Sequence, residues 1–332
     1  MKTNNTRKIT LRLPERWEEC SASDLETVAR GILREQEAGS RYRPFDWEKA
    51  KMRMVLEFNR LEVIRPADEN TMDADGDADI TLRMTAPGAD SEPFVMRLGQ
   101  MADLVRRLDW VNSDDGVPPI LFPYPHLIGR TAFTPGRTVA WLHSPSLSSV
   151  ADLWPWSRVW YRPGELLDGM PWQRYRLAGE YMDSWQRTSN AIAMSAARGR
   201  RPDPGDVQRQ QRDRTGFLAA IFGCETWRTD GISEVQWQVI LFWWTGVMKY
   251  LMRQYPRCFA KPKPGDKPSQ RKGSDPLSIY TRITATMEKH LQGMDEAKVN
   301  RETCHNVLQH LDDIAREADE MEKLSRRNKT HH

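Results

Sequence analysis

The spacing of apolar residues along the chain predicts that its first third combines helices with short strands. Apolar side chains recur at three- and four-residue intervals, as in amphipathic helices, over residues 22–37, 47–61 and 100–111. Short segments of strand character occur at residues 8–13, 61–65, 80–84 and 94–98. Ser21 with Asp24, and Asp46, are the expected N-terminal caps of the first two helices. Together these segments predict a small α+β domain over residues 1–115.

Helical spacing governs the chain after residue 170 and predicts a helical domain over residues 171–330. Helices are expected at residues 171–196, 206–222, 234–255 and 276–291, followed by a last helix that Asp295 would cap. The helix at 234–255 is apolar on nearly every side between Val239 and Met248, which predicts a buried central helix. The last helix carries the 4-3-4-3 spacing of a short coiled-coil seam at Val307, Leu311, Ile314, Ala318 and Met321.

The segment between these two domains, residues 116–170, is predicted to be an irregular connection. It is dominated by Pro, Gly and Trp and has few signals of regular structure. We place the domain boundary near residue 150. A second stretch, residues 260–275, is rich in Lys, Pro and Gly and is expected to be a flexible basic linker. The predicted fold class is α+β, predominantly α, with a buried central helix and a C-terminal amphipathic helix.

Composition favours a polar globular chain without a membrane segment. The 332 residues are 39% apolar and 29% charged, and the mean hydropathy is −0.70. The only dense apolar run, residues 239–248, is about half as long as the ~20 residues that a membrane helix needs. The N-terminus lacks the apolar core of a secretion signal. Four cysteines, far apart and never spaced as CxxC, are expected to be reduced thiols. These features predict a cytosolic protein.

Sequence motifs give no candidate catalytic, cofactor or metal residues. The phosphate-binding glycine loops, the HExxH motif and the GxSxG motif are all absent. The acidic run at residues 73–79 begins like a calcium loop, but the required glycine falls on Ala78 and the bidentate glutamate on Met84. His305 and His310 lie about 140° apart around a helix. We therefore expect a protein that is not an enzyme and that needs no cofactor or metal.

The densest aromatic cluster alternates with arginine and has three possible roles. Trp154, Trp156 and Trp160 lie beside Arg158 and Arg162. Such residues can form a protein interface, where Trp and Arg are favoured, or stack bases and hold phosphates. They can equally be core residues with arginine at the rim. Net charge is only +3, which does not by itself imply a polyanionic partner.

Three stretches resemble a group of uncharacterised phage and prophage proteins. They are EVQWQVILFWWTGVMKYLMRQYPRCFAKPKP, then DPLSIYTRITATMEKHL and VNRETCHNVLQHLDDI. The opening ITLRLPERWEECSASDLETVAR is also similar to the start of these proteins. The resemblance covers residues 9–30 and, with gaps, residues 234–314. It implies a place among phage tail proteins near the tape-measure protein, and a role in tail assembly that includes chaperone activity. It supplies no catalytic residues.

We therefore predict a non-enzymatic phage tail-assembly or structural factor, located in the host cytoplasm or in the virion. Its partners would be tail proteins, including a tape-measure-like protein. The alternative is a nucleic-acid-binding factor that uses the Arg/Trp-rich region and the basic linker, and an enzyme without a known motif is the third hypothesis. The candidate partner-binding residues are Trp154, Trp156, Trp160, Val307, Leu311, Ile314 and Met321.

Overall fold

The structure of the chain is a computed structural model. The described residues are 10–38, 45–66, 78–85, 92–113, 116–124, 164–223, 232–259, 286–287 and 295–330. The fold is predominantly α with one small antiparallel sheet, so the predicted fold class is confirmed. The chain forms two compact units, one of residues 1–119 and 233–242 and the other of residues 120–232 and 243–332.

Up to residue 113, the described part of the first unit includes three α-helices and three strands. They are α1 (Ala22–Ala38), α2 (Trp47–Phe58), β1 (Leu61–Arg65), β2 (Asp79–Met84), β3 (Phe94–Arg97) and α3 (Leu98–Arg106). The predicted caps are confirmed. Asp24 and Ser21 exchange hydrogen bonds before α1, and the carboxylate of Asp46 accepts from the backbone N–H groups of Glu48 and Lys49 at the start of α2. Satisfying these N–H groups fixes where each helix begins.

The sheet has the strand order β1-β2-β3, and both pairings are antiparallel. Leu82 of the central strand pairs with Val63 on one side and Phe94 on the other, and its side chain is fully buried. The strand predicted at residues 8–13 is wrong in its described part, because residues 10–13 have no strand partner. The backbone N–H of Arg12 instead donates to the side-chain oxygen of Asn59, which follows α2, at 2.7 Å.

Helices α1 and α2 pack closely because residue 31 is glycine. A Cβ atom on Gly31 would lie 2.6 Å from Cγ of Met54, a distance that real side chains do not adopt. The same helix pair holds an ion pair, in which the fully inaccessible Glu35 has its carboxylate 2.8 Å from the guanidinium of the partly exposed Arg53. A charge in this position must keep its partner, since a lone buried charge is strongly unfavourable.

Two long helices form the main framework of the second unit. Helix α4 (Trp172–Ala197) and helix α5 (Pro204–Phe222) are joined by residues 198–203 and run antiparallel along their length. A hydroxyl–carboxylate hydrogen bond between Ser184 and Asp213, at 2.6 Å, joins the middle of the pair. A second hydrogen bond, between Gln210 and Ser189, joins it nearer the connecting loop. Asp213 is buried, so the hydrogen bond from Ser184 replaces one that its carboxylate would make to water.

The predicted buried central helix is confirmed as α6 (Glu234–Gln254). Its capping box is also confirmed, because Ser233 and Gln236 each accept the backbone N–H of the other. Residues up to Phe242 belong to the first unit and residues from Trp243 onward to the second. Within the second unit, Trp243 and Trp244 are both buried. Among the described helices, none is long and apolar enough to cross a membrane.

The C-terminal helical region contains a break that the sequence did not predict. Asp295 caps a short helix, α7 (Glu296–Arg301), and not the last helix, α8 (Cys304–Thr330). The backbone at Glu302 leaves the helical conformation, with φ −59° and ψ 153°, and its carbonyl accepts the N–H of Trp172 at 2.6 Å. The N–H of Cys304 donates to the carbonyl of Met170 at 2.8 Å. The helix breaks here because these backbone groups bond to the start of α4 instead of to the preceding turn.

Candidate functional site

Helix α8 carries the predicted coiled-coil seam, and burial of the seam residues decreases along the helix. Val307 is fully buried, Leu311 and Ile314 are half-buried, and Met321 is 70% exposed. The seam is therefore core at its start and surface at its end. The other candidate residues, Trp154, Trp156 and Trp160, lie outside the described residues.

The first turn of α8 is anchored through His305. Its Nε2 lies 2.8 Å from the carbonyl oxygen of Leu166, and its Nδ1 lies 2.9 Å from the hydroxyl of Tyr255. Because a carbonyl can only accept, Nε2 donates to Leu166, and Nδ1 shares the second hydrogen bond with the hydroxyl of Tyr255. Burial raises the pKa of Tyr255, which keeps this hydroxyl protonated. His305 thus joins three separate parts of the second unit.

The turn that His305 holds has an unusual backbone. Leu166 and Leu167 adopt φ values of 52° and 68°, in the left-handed region that side chains disfavour. Such strain persists only when the surrounding structure fixes it. The Nε2 bond to Leu166 and the full burial of Leu167 supply that constraint. Both ring nitrogens of His305 are therefore engaged in contacts that hold this turn and the end of α6.

A charge pair anchors the third turn of α8 to Arg257, which follows the end of α6. Asp312 is buried and accepts from the backbone N–H of Arg257 at 2.8 Å and from its guanidinium at 3.1 Å. One further ion pair reaches along the helix, from Arg257 to Asp319 at 3.7 Å. The thiol of Cys258 adds a bond to the carbonyl of Leu308 at 3.2 Å. These contacts fix residues 304–312 of α8 firmly to the rest of the second unit.

The remaining part of α8 carries apolar side chains into solvent. The helix continues to Thr330, and every side chain that is described from Arg316 onward is exposed. Among them are Met321 and Leu324, which are 70% and 59% exposed. Residues three apart lie on the same side of a helix, so these two side chains form one apolar strip, which we call the free strip.

The described cysteines are not suited to nucleophilic chemistry. Burial raises the pKa of Cys258 and of Cys304 to about 12, and burial together with nearby carboxylates does the same for Cys20. A thiol must ionise to attack, so these thiols act as packing groups. Over the described residues, no three His, Cys, Asp or Glu side chains come together as a metal site.

Sequence reasoning missed some of the residues that define this site. Leu324 falls outside the 4-3-4-3 seam, although its three-residue spacing from Met321 is a usable signal. The anchors Tyr255, Arg257 and Asp312 gave no signal, because their partners lie about 50 residues away in the sequence.

Comparison of the chain with protein-family models, curated proteins and solved structures finds no match.

Proposed function

We propose that this chain is a non-enzymatic assembly factor that binds another protein through helix α8. On the resemblance of its sequence to phage and prophage proteins, the assembly is a phage tail and the partner a tape-measure-like protein. The factor then acts in the host cytoplasm or stays in the virion. The observation that carries the proposal is the free strip, Met321 and Leu324, on a helix whose first turns are firmly anchored.

An anchored helix with an exposed apolar end suits the recognition of another helix. Apolar side chains at three- and four-residue spacing are the anchors used in helix-in-groove and coiled-coil recognition. A long helical chain with apolar stripes aggregates until its stripes are covered. Pairing with α8 would cover part of such a stripe, while the second unit keeps α8 in place.

Co-expression with the neighbouring tail proteins tests the proposal. The full chain is expected to increase the soluble yield of one of them and to co-purify with it. Met321→Glu with Leu324→Glu should abolish this, because carboxylates replace the apolar contacts. The matched control is Met194→Glu with Val207→Glu, since these exposed apolar residues lie on α4 and α5. Co-purification that survives the first variant, or is absent from the wild type, contradicts the proposal.

A second candidate, binding of nucleic acid, is favoured by one exposed surface. Arg198, Arg200 and Arg201 are exposed in the loop between α4 and α5, and arginine suits bidentate contact with phosphate. The two segments to which the sequence assigned this role, the Arg/Trp-rich region and the basic linker, lie almost wholly outside the described residues. Binding to DNA or RNA that weakens steeply with added salt, and that Arg200→Glu reduces, would favour this candidate.

A further inference from the structure

We propose that the free strip of α8 pairs, in the isolated protein, with the same strip of a second copy, and that the two helices run antiparallel. This inference rests on the proposed function, because it takes the exposed end of α8 to be a protein-binding surface. It names one binding partner for this surface, a second copy of the chain, and gives the relative direction of the two helices. Two observations carry it: the exposure of the strip and the distribution of charge along the helix.

The exposed apolar residues extend a stripe that is already used for packing. Val307, Leu311 and Ile314 form the start of this stripe and are buried or half-buried within the second unit. Ala318 and Met321 continue the stripe on the same side of the helix. From residue 316, the described side chains of the helix have no cover. Isolated single helices of this length are marginal in water, so pairing would stabilise the helical end as well as cover its apolar atoms.

Charge along this part of α8 changes sign near its middle. Leaving out the buried Asp312, residues 313–322 contain five acidic residues and one basic residue, whereas residues 323–329 contain four basic residues and no acidic one. Two parallel copies would place acid beside acid and base beside base. Two antiparallel copies place the acidic half of each helix beside the basic half of the other. Complementary charge along the seam selects partner and direction in paired helices, so the sequence favours the antiparallel self-pair.

The apolar positions fit the same arrangement. If the pair is centred on Met321, residue 312 of one helix lies level with residue 330 of the other, which is where α8 ends. Met321 then lies level with its own copy, and the small Ala318 lies level with the larger Leu324. Alternation of small and large side chains lets two helices interdigitate. The overlap of 19 residues spans about 28 Å, which is a short interface and implies a weak, concentration-dependent dimer.

Self-pairing would affect how the assembly factor meets its partner. The strip that covers a second copy is the same strip proposed to bind a tail protein, so the two occupants compete. In the absence of partner, the dimer keeps Met321 and Leu324 from solvent. A partner helix that binds more tightly converts the dimer into a mixed complex. Addition of such a partner should therefore reduce the dimer signal in proportion to the complex formed.

Sedimentation of the full chain over a wide concentration range tests the inference. We expect a monomer–dimer equilibrium that added salt weakens, because the charge contacts are attractive. Met321→Glu with Leu324→Glu should weaken the dimer by at least about tenfold. Met194→Glu with Val207→Glu, the matched control, should leave it unchanged. Melting curves establish that each variant is folded.

A charge-reversal pair tests whether complementary charge holds the two helices together, whereas the salt dependence of the wild-type dimer tests their direction, because parallel copies would place like charges side by side. One variant replaces Lys323, Arg326, Arg327 and Lys329 with Glu, and the other replaces Glu317, Glu320 and Glu322 with Lys. Each variant alone should lose the dimer, and an equal mixture of the two should restore it. Asp312 and Asp319 are left intact because they anchor the helix to Arg257.

Three results would overturn the inference. They are a monomer at every concentration, a dimer that the Met321 and Leu324 variant leaves intact, and a dimer that salt strengthens, as parallel copies would give. A monomer that still co-purifies with a tail protein would overturn self-pairing alone. A dimer with the expected properties that binds no tail protein would instead contradict the proposed function.

Discussion

The guanidinium of Arg174 lies against Gly223, where a Cβ atom would stand 2.8 Å from Cζ of the arginine. From this position Arg174 donates to the carbonyls of Ala220 and Ile221 at 2.8 Å and 2.5 Å. These carbonyls lie in the last turn of α5 and have no partner within the helix. A cation here also opposes the negative end of the helix dipole. Gly223 therefore meets two requirements. It adopts the positive φ of 62° at which the helix ends, and it leaves room for the guanidinium of Arg174.

Substituting Gly223 with Ala should destabilise the second unit more than an ordinary helix-end glycine would. The left-handed conformation alone costs a Cβ residue about 1–2 kcal/mol, and the new methyl group must also displace Arg174. Arg174→Ala should lower stability through the lost carbonyl contacts. Urea unfolding of both single variants and the double variant measures the coupling. If the two losses simply add, the residues do not act as one unit.

The sequence predicted the structural features that depend on neighbouring residues and missed those that depend on residues far apart in the chain. The cap of α2 by Asp46 and the capping box of Ser233 with Gln236 involve residues two to three positions apart, so the sequence displays them. The break between α7 and α8 depends on backbone groups of Met170 and Trp172, about 130 residues earlier. Periodicity carries no information on such pairings.

The same limit applies to the candidate site. The 4-3-4-3 spacing from Val307 to Met321 correctly placed one side of a helix. Spacing could not tell that Val307 is core and Met321 is surface. That difference arises because Arg257 and Tyr255 hold the start of α8, while the described contacts stop at Asp319. Whether a helix is buried depends on the elements that lie beside it. The spacing of its own apolar residues describes only the helix itself.

The ion pair between the buried Glu35 and the partly exposed Arg53 should show a large difference between single and double variants. Arg53→Met leaves a carboxylate buried without its partner, which typically costs about 3–5 kcal/mol. Glu35→Leu combined with Arg53→Met removes both charges and should recover most of that loss. Chemical unfolding of wild type, both single variants and the double variant gives the coupling. A double variant as unstable as Arg53→Met would show that packing, and not charge, sets the cost.

The three described cysteines should react slowly with thiol reagents while the protein is folded. With the pKa of each raised from 9.0 to about 12, the thiolate fraction at pH 8 falls about a thousandfold. Cys224 lies outside the described residues, so the measurement uses Cys224→Ser. We expect slow labelling of this variant at pH 8 and rapid labelling of three thiols in denaturant. Rapid labelling of the folded variant would contradict the assigned burial.

The same raised pKa values predict how stability changes in alkali. The folded state favours the protonated thiol, so this contribution is fully present below the unfolded pKa, near 9. It is lost as the pH rises toward the folded pKa, about 12. Cys304→Ala should reduce the fall in melting temperature between pH 8 and pH 10.5, because one buried ionisable thiol is gone. An unchanged pH dependence would show that this thiol does not contribute.

Trp243 should contribute more to stability than its size alone suggests. It is buried, its edge contacts Phe122 at a centroid distance of 5.1 Å, and its indole N–H donates to the carbonyl of Ile120 at 3.1 Å. Trp243→Ala typically costs about 3–5 kcal/mol. Trp243→Phe keeps an aromatic ring but leaves the Ile120 carbonyl without this donor, which adds about 1–3 kcal/mol to the cost of the smaller ring. Melting temperatures should therefore fall in the order wild type, Phe variant, Ala variant.

A matched substitution on the same helix separates loss of the core contact from a general effect on α6. Met252 is 47% exposed, so Met252→Ala removes side-chain atoms that are only partly covered and should change the melting temperature little. Trp244→Ala should resemble Trp243→Ala, because Trp244 is also buried and contacts Phe217 edge-on at 5.1 Å. Wild-type melting in both tryptophan variants would contradict the assignment of α6 as the buried central helix. A large loss in Met252→Ala would show that truncation at a partly exposed position of α6 is also costly, because alanine favours helices and cannot itself weaken one.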